Sequence, residues 1–255
     1  MNKIKKTIYL LNIGDYAPEI TALTYPLIRC YATRIGAEIF IIKDRKFPDW
    51  PVSYEKLQIF DLAREHKNDW NIYIDSDALV HPETVDFTHF ISKDTILHHG
   101  ADMAALRWNY DEYFLRDGRN IGSCNWFTVA SDWCVDLWRP LDISLEAALK
   151  SIYPTPRELN ASVNKEHLID DYSLSRNIAR FGLKATTVLE LLPKIGLADV
   201  DFFRHGYMMQ DRQKVKRIKQ FIRQWHPKDK LRAQEQKRGQ ARESDLKAKK
   251  ELRRR

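Results

Sequence analysis

The stretch 71-NIYIDSDALVHPE-83 decides the fold. Its first half, 71-NIYID-75, has the length and the β-branched and aromatic content of a buried strand. The run ends in Asp75 and Asp77, one residue apart. Neighbouring carboxylates repel, and a strand end inside a fold is a costly place for them. Asp-x-Asp also arises by chance in surface turns, so its meaning depends on what surrounds it.

Upstream, 6-KTIYLLNIG-14 is a continuous apolar run closed by Gly14, as expected of a first strand. The segment 18-PEITALTYPLIRCYATRIG-36 carries apolar residues at helical spacing, with Gly36 as its stop. A second strand is expected over 37-AEIFIIKD-44. After a loop with Pro48 and Pro51, 53-SYEKLQIFDLAREHKND-69 forms an amphipathic helix with Leu57, Phe60 and Leu62 inward and Ser53 as its cap. Strand, helix, strand, helix, strand predicts a parallel sheet covered by helices, and such sheets bind ligands beyond the carboxyl ends of their strands. Asp75 and Asp77 fall at that edge. A divalent cation that prefers oxygen ligands, Mg²⁺ or Mn²⁺, would neutralise the pair and bridge to an anion such as a diphosphate.

Later segments are less regular. Strands are expected over 101-ADMAALRW-108, 124-CNWFTVAS-131 and 183-LKATTVLE-190, and a helix over 168-LIDDYSLSRNIARFG-182 stopped by Gly182. His98 and His99 read as loop residues. Cys30, Cys124 and Cys134 are an odd number without metal-ligand spacing, so reduced core thiols and a cytoplasmic location are expected. No apolar run reaches the roughly 18 residues that span a bilayer, and the start, MNKIKKTIYLLNIGD, turns polar too soon for a signal peptide.

The net charge of +7 conceals two opposite parts. Residues 212–255 hold 18 Lys+Arg against 5 Asp+Glu, or +13, and residues 1–211 hold 24 against 30, or −6. The reading is therefore a domain over 1–211 and a basic tail over 212–255. In 214-KVKRIKQFIRQWHPK-228, Val215, Ile218, Phe221, Ile222 and Trp225 share one helical face among cations. Such a helix packs its stripe on the body, lies on an anionic membrane as a peripheral contact, or approaches nucleic-acid phosphates.

These segments in this order resemble the GT-A fold glycosyltransferases, whose DxD motif holds a metal on the diphosphate of a nucleotide-sugar. Asp75-Ser76-Asp77 resembles that motif, and 25-YPLIRCYATRIGAEIFIIKDRKFP-48 resembles the nucleotide-binding half. The run 120-NIGSCNWFTVAS-131 is similar to the strand that lines the sugar and acceptor, and 169-IDDYSLSRNIARFGLKATTVLE-190 to the acidic helix and its following strand. The segment 202-FFRHG-206 is similar to a late strand that supplies a histidine ligand. The resemblance spans residues 7–210. It implies an α/β, Rossmann-like GT-A fold, with a mixed, mainly parallel central sheet flanked by helices. It also implies transfer of a hexosyl or pentosyl group from a nucleotide-sugar, a UDP-sugar being expected, to an acceptor hydroxyl on a glycan precursor or a nucleic acid.

On that resemblance Asp75, Asp77 and His205 are the metal ligands, with Asp77 the more direct. Asp171, or its neighbour Asp170, is the catalytic carboxylate, contacting the sugar or taking the acceptor proton. Lys56, Ser76, Asn120, Gly122 and Arg29 are the expected donor or acceptor contacts. Each residue has a plainer reading: acids at a helix start meet its dipole, His205 is a polar strand-end residue, Asn120 forms a turn, and Lys56 and Arg29 are exposed helix cations. The chain lacks the Lys-Pro-Trp-like element that follows the late histidine in retaining families, and Ser175 stands where many members have Asn. The resemblance therefore implies neither the sugar nor the stereochemistry.

Two other functions compete. Haloacid-dehalogenase-like phosphatases also carry Asp-x-Asp after a strand. They require Thr or Val where this chain has Leu79, and they place the motif on their first strand. A non-catalytic protein binding anionic surfaces through its tail is the other.

Overall fold

β1 (Lys6–Leu11), β2 (Glu38–Ile42) and β3 (Trp70–Ile74) lie side by side and parallel, with β1 in the middle. The structure is a computed structural model, and it describes residues 4–99, 126–152, 164–198, 202–205 and 209–225. The two inner strands are buried along nearly all of their length because both their faces are covered, and apart from Lys6, Thr7 and Asn71 their residues are aliphatic or aromatic. Ile8, Leu10, Ile72 and Ile74 meet Ile28, Tyr31, Ala32 and Ile35 of α1 (Pro18–Ile35) on one face. Tyr9 and Tyr73 turn to the other face, into a core with Leu57, Phe60 and Trp138. α1 starts with a proline in its first turn and ends on Gly36, which takes the left-handed conformation (φ 67°) that closes a helix.

The sheet has six strands in the order β2-β1-β3-β6-β5-β7. β6 (Phe127–Ser131) is antiparallel to both β3 and β5 (Thr95–His98), and β5 runs parallel to β7 (Lys184–Thr187). The expected mixed, mainly parallel sheet flanked by helices is thus what the chain forms. β4 (Leu79–Val80) and β8 (Phe203–Arg204) make a separate antiparallel pair. The remaining helices are α2 (Ile59–His66), α3 (Leu145–Lys150), α4 (Ile169–Phe181), α5 (Val188–Lys194) and α6 (Asp211–Trp225).

Several local expectations are corrected. The helix expected over 53–69 begins as a 3₁₀ segment, Val52–Gln58, and becomes α-helical only at Ile59. Ser53 caps neither part; its hydroxyl is buried without a hydrogen-bond partner among the described residues. The buried Glu55 organises this region instead, accepting from the backbone N–H groups of Lys46 and Phe47 and pairing with Arg45. The strand expected over 183–190 stops at Thr187. The Thr187 hydroxyl accepts from the N–H of Glu190 (3.0 Å), whose carboxylate accepts in return from the N–H of Thr187, and this reciprocal cap starts α5. Of the two histidines expected in a loop, His98 instead ends β5 and is buried, whereas His99 follows the strand, half-buried, and packs against Trp126. Cys134 is buried, and burial pushes its thiol up to about 11, so it is inert at neutral pH, whereas Cys30 is exposed on α1. The expected strand over 101–108 and Cys124 lie outside the described residues.

The chain divides into two units, Met1–Met209 and Gln210–Arg255. In the second, α6 shows the expected stripe: Ile218 is buried, and Val215, Phe221, Ile222 and Trp225 are half-buried. Arg212, Lys216, Arg217, Lys219 and Arg223 are exposed. Among the described residues, no helix is long and apolar enough to cross a membrane.

Candidate metal centre

β3 delivers Asp75 to the carboxyl edge of the sheet, where the N–H of Asp75 makes a last bond to the carbonyl of Trp126 (2.9 Å). The chain then turns at once: the N–H of Ala78 donates to the carbonyl of Asp75 (2.9 Å), closing a four-residue turn that brings Asp77 back beside Asp75. Ser76, at its tip, is buried and faces inward. The Ser76 hydroxyl donates to the carbonyl of Leu11 (2.7 Å) and contacts the Tyr25 hydroxyl (3.0 Å), and its carbonyl accepts from Thr24 (2.6 Å). The turn is pinned to the end of β1 and to α1, which holds the two carboxylates in place.

His205 arrives by register. β4 pairs Leu79 with Arg204, so one step further the antiparallel pair sets His205 opposite Ala78, next to Asp77. The His205 Nε2 lies 3.1 Å from Oδ1 of Asp77 and 3.6 Å from Oδ2 of Asp75. One ligand atom from each of the three residues falls within 4.8 Å of the others. Neighbouring ligands of an octahedral Mg²⁺ or Mn²⁺ stand about 3 Å apart, given bonds of about 2.1 Å. Two oxygens and an imidazole nitrogen at these separations fit such an ion with little movement.

The opposite side of Asp75 is held by Tyr73 and Lys56. The Tyr73 hydroxyl donates to Oδ1 of Asp75 (2.5 Å), leaving Oδ2 toward His205. Burial, and then the charge of Asp75, pushes the Tyr73 hydroxyl well above its ordinary value, so it remains a donor. Burial also raises the Asp75 carboxyl above its ordinary value, against the pull of Lys56 and His205.

Lys56 is not the exposed helix cation that its segment suggested. It is 1% exposed, its Nζ lies 2.5 Å from Oδ2 of Asp170 and 3.7 Å from Oδ1 of Asp75, and it sits over the Tyr73 ring at 4.6 Å. Burial alone would lower its pKa, but Asp170, Asp75 and Asp171 together outweigh that and raise it, so it is a fixed cation. Asp170 and Asp171 are both buried in the first turn of α4. The helix dipole explains acids at that position, but not their burial against a lysine. Oδ1 of Asp170 is buried with no hydrogen-bond partner among the described residues.

The structure therefore brings Asp75, Asp77, His205, Lys56 and Asp170 into one connected group, with Asp171 within electrostatic reach of Lys56. Arg29 stands apart, exposed on α1, one turn beyond the Tyr25 that touches Ser76. Asn120 and Gly122 lie outside the described residues. Two participants escaped the sequence reading. Tyr73 shares a strand face with Asp75 by its two-residue spacing, a signal that was present. Trp126 gave no signal, because its partner His205 is remote in the chain; the two rings stack at 5.1 Å and 10°. The edge of the crevice also holds the loop after β1, where Asp15 (φ 52°) and Ala17 (φ 42°) are left-handed without being glycine, at a cost of about 1 kcal/mol each.

No protein-family model matches the chain, and no curated protein matches it in sequence. Solved structures match it in fold. A glycosyltransferase involved in the glycosylation of the major capsid of PBCV-1 aligns over 85% of this chain and 99% of its own, with a TM-score of 0.50 and 13% identity. A Drosophila β-1,4-galactosyltransferase 7 mutant in complex with manganese, UDP-Gal and xylobiose aligns over 79% of this chain and 71% of its own, with a TM-score of 0.39 and 13% identity. At 13% identity the likeness of the first speaks for the fold, and the second is too distant to add to it. The chain has a GT-A-like α/β fold, similar to that of glycosyltransferases.

Proposed function

We propose that the protein is a metal-dependent glycosyltransferase that moves a sugar from a nucleotide-sugar, a UDP-sugar being the expected donor, to an acceptor hydroxyl. The observation that carries this reading is the cluster of Asp75, Asp77 and His205 at the carboxyl edge of a GT-A-like sheet. Those three residues would hold Mn²⁺ or Mg²⁺, and the ion would supply Lewis-acid stabilisation of a departing diphosphate. Lys56 holds one oxygen of Asp170, so that the other, buried and without a hydrogen-bond partner among the described residues, can accept from a sugar hydroxyl. Asp171, next on α4, is the candidate to take the acceptor proton. Lys56 is too deeply buried and too fully engaged for the donor or acceptor contact expected of it, and its role in this reading is to hold Asp170 and Asp75 in position. Ser76 shapes the turn rather than touching the donor with its hydroxyl. The domain over 1–211 performs the transfer in this reading. The tail over 212–255 supplies contact with an anionic acceptor or surface.

A thermal-shift screen of nucleotide-sugars with and without Mn²⁺ tests the reading. One donor is expected to raise the unfolding midpoint only when metal is present, with a stabilisation of about 2.7 kcal/mol at a hundredfold excess over its Kd. Release of nucleoside diphosphate from that donor is expected under the same conditions. If no donor stabilises the protein with either metal, or if it instead hydrolyses a simple phosphomonoester, the reading fails, the second outcome in favour of a phosphatase.

A further inference from the structure

Histidine ligands are ordinarily aimed by a second hydrogen bond, with the ring nitrogen away from the metal donating to a carbonyl or carboxylate. His205 departs from this. Among the described residues its polar contacts are a hydrogen bond between Nε2 and Asp77 at 3.1 Å and the approach of Nε2 to Asp75 at 3.6 Å, and no hydrogen bond reaches Nδ1. What its imidazole does have is a flat neighbour: the indole of Trp126, nearly parallel at 10° with centroids 5.1 Å apart.

The indole is itself wedged. The His99 ring meets it at 4.3 Å, and the Phe203 ring stands at 77° to it, 6.2 Å away. The backbone of the same residue reaches the other side of the centre. Ile74 pairs with Phe127 in the antiparallel ladder, so Asp75 comes opposite Trp126, and its N–H donates to the Trp126 carbonyl at 2.9 Å. One residue thus fixes the backbone of one carboxylate and the ring plane of the imidazole. These come from β3 and from the segment after β8, two parts of the chain that must keep their separation if Asp75, Asp77 and His205 are to act together.

We infer that Trp126 is the positioning residue of this centre, taking the place of a second hydrogen bond, of which the described residues supply none, by holding the His205 ring in the plane that would point Nε2 at a cation. The inference rests on the metal reading above and assigns how the site is kept in shape. Removing the indole leaves His205 free to rotate about its Cβ–Cγ bond, so the effect falls on metal affinity and on coordination geometry.

Cobalt tests this, because the visible bands of bound Co²⁺ report its ligand geometry. The full-length protein, Trp126→Leu and Trp126→Phe are titrated with Co²⁺, and their urea unfolding midpoints are measured alongside. Trp126→Leu is expected to bind Co²⁺ about tenfold or more weakly, with shifted bands. Trp126→Phe, which restores a stacking ring, is expected to recover most of the affinity and the wild-type bands. A Co²⁺ affinity in Trp126→Leu within twofold of wild type, with unchanged bands, overturns the positioning role and leaves the metal reading intact. So does an equal loss in both variants that follows a fall in their unfolding midpoints, since that is a packing effect only. No Co²⁺ binding by the wild-type protein removes the metal reading, and this inference with it.

Discussion

Asp77→Asn is expected to lower the proposed sugar transfer from a nucleotide donor by about a thousandfold or more, and to leave the unfolding midpoint where it was. The substitution preserves shape and can preserve a hydrogen bond to His205, which lies 3.1 Å away. What it removes is the negative charge on the more deeply buried of the paired carboxylates; the Asp77 side chain is 9% exposed against 24% for Asp75. Lewis-acid stabilisation of a leaving diphosphate is worth several kcal/mol, and a loss of about 4 kcal/mol corresponds to about three powers of ten in rate. Stability does not suffer, because in the absence of metal the two carboxylates repel each other and removal of one relieves that repulsion. Donor turnover by Asp77→Asn within tenfold of wild type would refute the assignment of Asp77.

Lys56→Met is the substitution with the largest expected effect on folding. The Lys56 and Asp170 side chains are 2% and 5% exposed, with 2.5 Å between the charged atoms. An exposed pair of this kind would contribute little. Removing one partner of a buried pair strands the other charge away from water and costs about 3–5 kcal/mol. Here Asp75, 3.7 Å away, loses the same cation, which places the expectation at the upper end of that range. Urea unfolding measures it. The double variant Lys56→Met with Asp170→Leu is expected to recover more than half of the lost stability, since the carboxylate nearest to Lys56 is then removed together with it. A Lys56→Met midpoint equal to that of wild type would mean that the pair is solvated and that Lys56 does not organise the centre.

Much of this architecture is legible in the residues. β1, α1, β2 and β3 follow from apolar runs and helical spacing closed by Gly14, Gly36 and Asp75, and α4 from a periodic stretch closed by the left-handed Gly182. The placement of Asp75 and Asp77 at the carboxyl edge follows from that order alone. Where the reading slipped, local signals competed. The apolar Val188 and Leu189 continue a strand-like run, yet the Thr187 and Glu190 pair is the sequence signature of a reciprocal helix cap and governs the outcome. The environment of Lys56 could not be read at all, since its partner Asp170 lies 114 positions away and a cation in an amphipathic segment ordinarily faces water. His98 misled for the same reason: adjacent polar rings suggest a loop, and only the pairing of β5 with β6 and β7 shows it inside. The stack of Trp126 on His205 belongs to this class of contact, made by sheet topology between residues with no pattern in common.

The most direct measurement is anomalous diffraction at the manganese edge from crystals grown with Mn²⁺ and a nucleoside diphosphate. A single strong peak bounded by the side chains of Asp75, Asp77 and His205, with diphosphate oxygens completing its shell, is the result expected. Manganese bound elsewhere, or a nucleotide seated with its diphosphate away from these three residues, would contradict the account.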